Sequence, residues 1–99
     1  MDIKEQSFHR KLQAIADPTR RRILRVLKER GAGSPAKGTG LCASDIEVRI
    51  SLTQPTISHH MAILSQADLV ETKKIGQWVW YRRNETAISE FIRALKKNL

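Results

Sequence analysis

Between Thr53 and Leu64 the chain gathers groups able to read a polar surface: an amide at Gln54, hydroxyls at Thr53, Thr56 and Ser58, and imidazoles at His59 and His60. Amide and hydroxyl side chains match the donor and acceptor edges of base pairs in a major groove, and glutamine can bond adenine in bidentate fashion. The same stretch carries Ile57, Met61 and Leu64 at spacings of four and three, which share one face of a helix. At about 3.6 residues per turn, Pro55, His59, Ala62 and Gln66 then face the other way. That outer face is small and hydrogen-bonding but uncharged, whereas a face built only for solubility more often carries Lys and Glu. Thr53 stands as an N-cap whose hydroxyl can accept from a first-turn amide, and Pro55 falls where a missing N–H costs little. The stretch reads as a recognition helix over 53–64, with Gln54, Pro55, Thr56, Ser58 and His59 as candidate base contacts and Thr53 as a candidate phosphate contact.

Other reactive residue types support less. Adjacent histidines on a helix point about 100° apart and cannot easily share one ion, so His59 reads as a base or phosphate contact and His60 as a packed, hydrogen-bonded residue. Cys42, the single cysteine, excludes an internal disulfide and has no resolving thiol beside it. Arg20, Arg21 and Arg22 open a helix; Arg20 is a candidate phosphate contact, although an arginine there can equally pair internally. Trp78, Trp80 and Tyr81 lie in an alternating run, where aromatics more often pack a hairpin than stack on bases. The chain has no nucleophile elbow, no glycine-rich phosphate loop after a strand and no paired carboxylates in an apolar setting, so no enzyme, metal site or cofactor is expected.

The whole chain has a formal net charge of +8 and a pI near 10.3. Such an excess attracts polyanions, nucleic acid first and an anionic membrane surface second. Its 99 residues suffice for one compact domain. No apolar run approaches membrane-spanning length and the first residues lack a signal-peptide layout, so a cytoplasmic location without membrane insertion is expected.

The elements that would hold the candidate helix read in order as ααααββα. A first helix over 3–16 carries Phe8, Leu12 and Ile15 on one stripe. Asp17 caps a second helix running to about Arg30, with Ile23, Leu24 and Leu27 buried and Gly31 ending it. Residues 31–40 hold four glycines and no periodicity, which predicts a flexible loop within one domain. A short third helix over 43–50 turns Ile46 and Ile50 inward, and with the candidate reader it makes a helix-turn-helix. The period then changes to two: runs 69–73 and 77–82 predict a β-hairpin with Gly76 in its turn and lysines at its tip. Lys73, Lys74, Gln77 and Arg82 become candidate backbone contacts. Asn84 caps a last helix over 85–97 whose stripe of Ile88, Phe91, Ile92 and Leu95 is too broad for one small domain to bury, which favours a partner.

A helix-turn-helix followed by a basic hairpin is a winged helix, and here the sequence resembles the ArsR family of small bacterial repressors. The likeness spans residues 12–95 and rests on Ala16-Asp17-Pro18-Thr19-Arg20-Arg21-Arg22-Ile23-Leu24, on Leu52 through Met61, and on Leu69-Val70 with Gly76-Gln77-Trp78-Val79-Trp80-Tyr81. Within the family it looks most like the SdpR-type autorepressor branch. The resemblance implies a dimeric repressor of double-stranded DNA with an inverted-repeat operator. It implies a homodimer joined through the first and last helices, chiefly by Phe8, Leu12, Ile88, Phe91, Ile92 and Leu95, and release by a membrane-bound or small-molecule effector. Two departures bear on metal. Sensing members carry a Cys-x-Cys pair that begins where Cys42 stands, and Ser44 occupies its second position; others use histidines on the last helix, and residues 84–99 contain none. A family glycine after the recognition helix is Asp68. The competing readings are a winged-helix module that binds protein and a regulator sensing metal or redox state through Cys42.

Overall fold

The computed structural model describes residues 2–31 and 40–99. Its elements are α1 (Ile3–Ala16), α2 (Pro18–Gly31), β1 (Leu41–Cys42), α3 (Ala43–Ile50), α4 (Gln54–Gln66), β2 (Val70–Ile75), β3 (Trp78–Arg83) and α5 (Glu85–Lys97). Local chemistry sets most of the boundaries. Asp17 Oδ1 accepts from the amides of Thr19 at 2.7 Å and Arg20 at 3.1 Å, and Asn84 caps α5 through Ala87 N at 3.1 Å. Thr53 holds the N-cap position of α4 without making a cap bond; its hydroxyl pairs instead with Thr56 Oγ1 at 3.0 Å, a local competitor for the same oxygen.

Ile23, Ile46, Ile57, Met61, Leu64 and Leu69 are fully buried and bring α2, α3 and α4 onto one core. The inward sets expected for those three helices all face it. On α1 the buried residue is Ala14, while the expected stripe of Phe8, Leu12 and Ile15 stays half-buried. α4 ends in a Schellman motif: Asp68 N reaches Ser65 O at 3.0 Å and Leu69 N reaches Leu64 O at 3.0 Å. Asp68 sits at the glycine position of that motif with φ +61°, a conformation that aspartate tolerates better than most residues. Ser51 closes α3 in the same left-handed region and turns the chain into α4.

The expected order of helices and hairpin is present, and the sheet adds one strand to it. β1 is an added strand that pairs antiparallel with β3, giving the order β1-β3-β2. Two residues are too few to show a period, so they read as loop. Gly31 ends α2 and Gly40 leads into β1, while residues 32–39 of the expected flexible loop lie outside the described residues. The hairpin strands reach the turn itself, which is Gly76-Gln77 with φ +61° at Gly76. Lys73 and Lys74 therefore stand within β2, not at the tip.

Candidate nucleic-acid interface

α3 and α4 meet through the Ser51–Thr53 turn, and the buried face of α4 is anchored by Ile57, Met61 and Leu64. Thr53, Gln54, Pro55, Thr56, Ser58, His59, Ala62 and Gln66 are all exposed. Every base-contact candidate thus lies on the open surface of one helix, as its spacing requires. His60 is half-buried behind them, with its ring centroid 5.6 Å from that of His59.

Arg20 takes the internal partners that the sequence allowed it. Its guanidinium turns inward: Nε donates to Ala14 O at 2.6 Å, Nη2 to Gln13 O at 3.1 Å, and Nη1 lies 3.2 Å from His60 Nδ1. With its side chain only 13% exposed, Arg20 ties the α1–α2 corner to α4, the internal pairing that the sequence left open beside a phosphate contact. Arg21 likewise donates from Nη1 to Ile15 O at 2.6 Å. Two consecutive arginines thus satisfy three carbonyls at the C-terminus of α1, where a helix leaves acceptors unpaired and favours positive charge. The sequence signal for this was their place just after the Asp17-Pro18 corner, which returns the chain beside the end it has left.

The electrostatics of the corner are coupled. Burial raises the Asp17 carboxyl, but the amides of Arg20 and Thr19 and the charge of Arg20 outweigh it and bring the group below its ordinary value. Burial pushes His60 below the usual imidazole range; Asp17 pulls it back up, and Arg20 and His59 push it further down.

The wing follows α4 directly, tied by Ser65 Oγ to Thr72 Oγ1 at 3.1 Å. Register pairs Lys73 with Trp80 and Lys74 with Val79, so the two lysines point to opposite faces of the ribbon. Lys74 shares its face with Thr72, on the side of α4; Lys73 lies with Trp80 and Arg82 on the far side. Arg82 is held by Glu71, with both its Nε and Nη2 2.7 Å from Oε2, so its charge is partly answered within the wing. Gln77 is exposed in the turn. Trp80 and Tyr81 are half-buried as hairpin packing requires, while Trp78 is 52% exposed beside Ile75.

On the opposite side, α5 packs on α1 through Phe8 and Phe91, whose rings lie 5.6 Å apart. Phe91, expected on a free face, is buried within the protomer, because Phe8 already covers it. Ile92 at 58% exposure remains open, with Ile88, Leu95 and Leu12 half-buried. A groove of about 710 Å³ runs between the two helices, lined in part by Ile3, Phe8, Ala87 and Ala94.

Cys42 is buried at the start of α3, its Sγ 3.0 Å from Asp45 Oδ2 and 3.1 Å from Ser44 Oγ. Among the described residues no three His, Cys, Asp or Glu side chains converge as a metal site would need, and no helix is long and apolar enough to cross a membrane.

A helix-turn-helix domain family matches residues 15–73. The chain is 38% identical over 80 residues to the transcriptional repressor SdpR of Bacillus subtilis, covering 81% of this chain and 79% of that one. To the arsenical resistance operon repressor of Staphylococcus xylosus it is 35% identical over 88 residues, 89% of this chain and 72% of the other. Among solved structures, the ArsR-like transcriptional regulator from Rhodococcus sp. RHA1 superposes with a TM-score of 0.72 at 24% identity, covering 95% of this chain and 80% of its own. HlyU from Vibrio cholerae gives a TM-score of 0.67 at 24% identity over 98% and 96%. Both structures share the fold described above.

Proposed function

The chain belongs to the ArsR family of winged helix-turn-helix transcriptional regulators, and on that premise we propose a homodimeric repressor that reads an inverted-repeat operator through α4 and is not released by metal. The observation that carries the proposal is the division of α4. Three apolar residues are sunk in the core, while Gln54, Thr56, Ser58 and His59 stand exposed, uncharged and close to the helix start. A major groove admits a helix of that kind, and its base edges demand donors and acceptors, not charge.

Gln54 is assigned the bidentate adenine contact, with Pro55, Thr56, Ser58 and His59 along the same groove. Thr53, Lys73, Lys74 and Gln77 serve the phosphates, joined by Arg82 to the extent that Glu71 releases it. These two classes are separable by experiment. Gln54→Ala should cost about 1–3 kcal/mol of base discrimination. Lys73→Ala or Lys74→Ala should instead flatten the log–log salt dependence of binding by about one unit per lost contact while leaving base preference intact. Gel-shift titrations over a range of salt measure both. Binding to a protein partner with no salt-sensitive affinity for DNA would favour the protein-module reading.

Control of release is assigned to something other than metal. A thiolate sensor needs several soft ligands on one ion, and Cys42 has Ser44, a poor ligand at neutral pH, where a second thiolate would stand. Titration with Zn²⁺, Cd²⁺, Ni²⁺ and arsenite during DNA binding should leave operator affinity within about tenfold; a stoichiometric ion that lowers it further would overturn this assignment. A small-molecule or membrane-bound effector fits the same regulator without requiring a metal.

A further inference from the structure

Arg20 commits its nitrogens to three separate elements. Nε and Nη2 hold Ala14 O and Gln13 O at the end of α1, at 2.6 and 3.1 Å. Nη1 lies 4.0 Å from Asp17 Oδ2 at the start of α2 and 3.2 Å from His60 Nδ1 within α4. Guanidinium only donates, so this contact requires Nδ1 to be the acceptor and leaves the imidazole proton on Nε2. His60 follows His59 and Ser58 directly, so whatever fixes its ring also fixes the backbone that presents those two groups.

We propose that the contact between Arg20 and His60 is a positioning clamp that sets the rotation of α4 against the α1–α2 corner, and that operator discrimination depends on it. The proposal rests on α4 being the reading helix. Elsewhere α4 is held mainly by Ile57, Met61 and Leu64, and apolar contact is non-directional: it resists separation far more than small rotation. The directional contact from α1, Arg10 Nη1 to Gln66 O at 3.5 Å, is long, exposed and at the far end of the helix. Base-edge hydrogen bonds weaken steeply when misaligned, whereas phosphate attraction tolerates small rotations. Loosening the clamp therefore removes specific affinity and spares non-specific affinity.

The clamp is also sensitive to protons. The charged groups acting on His60 are Asp17 at the α1–α2 corner, Arg20 on α2 and His59 beside it on α4. Burial, with Arg20 and His59, holds the ring below its ordinary value of 6.5 against the pull of Asp17. The contribution of the neutral ring is therefore fully present above that value and is lost as pH falls below it, where a protonated Nδ1 would face a donor.

The test compares Arg20→Lys, His60→Leu and His60→Asn with Gln54→Ala and the wild type. The probes are a duplex that the wild-type protein selects from a random pool and a scrambled duplex of equal length; melting temperatures are measured alongside. Asparagine places Oδ1 where imidazole has Nδ1 and does not titrate, so it should keep the clamp. Folded Arg20→Lys and His60→Leu should lose about tenfold in discrimination with little change on the scrambled duplex. As pH falls from about 7.5 to well below 6.5 the wild type should lose discrimination while His60→Asn should hold it, and because both proteins keep His59, the difference isolates residue 60. If Arg20→Lys and His60→Leu do not fold, the wild-type and His60→Asn pH profiles decide alone. Identical profiles, or full discrimination by folded His60→Leu, would overturn the clamp. A loss with Gln54→Ala but with none of the clamp variants would reject the clamp and keep α4 as reader. No loss with Gln54→Ala would remove the premise and the proposal together.

Discussion

For the homodimer and inverted-repeat operator proposed above, Ile92→Glu combined with Leu95→Glu should give a monomer and weaken operator binding by about a hundredfold or more. Ile92 is the exposed centre of the α5 stripe, at 58%, and Ile88 and Leu95 flank it half-buried. Phe91 beneath them is covered by Phe8, and the substitutions leave that ring contact unchanged. Burying each aliphatic side chain contributes about 1.5–3 kcal/mol, and two-fold symmetry doubles every contact. Four carboxylates brought together would add repulsion to that loss. A monomer engages one half-site and forfeits the effective concentration that a second linked reader provides. Sedimentation at micromolar protein gives the mass, and titration of a two-half-site duplex gives the affinity. A double variant that remains dimeric would place the interface elsewhere.

Gly40→Ala should destabilise the fold severely, costing more than about 3 kcal/mol. Gly40 has φ +87°, which a side chain already disfavours, and an added Cβ would lie 1.9 Å from Tyr81 O and 2.7 Å from Tyr81 C. Those are backbone atoms of β3 and cannot swing aside. Relief requires β1 to leave β3, exposing Leu41 and Cys42, both buried. For a domain of this size the melting temperature should drop by more than about 12 °C. Gly76→Ala is the matched control. It carries a positive φ of +61° but its added Cβ meets nothing within 4 Å. Its cost should therefore be the backbone strain alone, about 1 kcal/mol. Equal losses for the two variants in thermal unfolding would show that the approach to Tyr81 is not what fixes glycine at 40.

The contrast between those two glycines marks how far local reasoning reaches. Gly76 was legible because a tight turn between alternating strands favours a positive φ, and that demand is written into neighbouring residues. Gly40 was not, because its constraint comes from Tyr81, forty-one positions away along the chain. β1 was missed for the same reason: a two-residue strand exists only through its partner.

Sequence alone determined every periodic element, the inward faces of α2, α3 and α4, the caps at Asp17 and Asn84, and the exposed polar set from Gln54 to His59. These are properties of spacing along one helix or one turn, fixed before any long-range contact forms. Only the tertiary structure decided where the long side chains spend their hydrogen bonds and which apolar groups remain open. It sent Arg20 to the α1 carbonyls and His60, gave Arg82 to Glu71, and buried Phe91 under Phe8. An arginine can reach several partners, and its choice depends on which acceptors the packing leaves unsatisfied. That choice follows from how the helices meet, which no local pattern encodes.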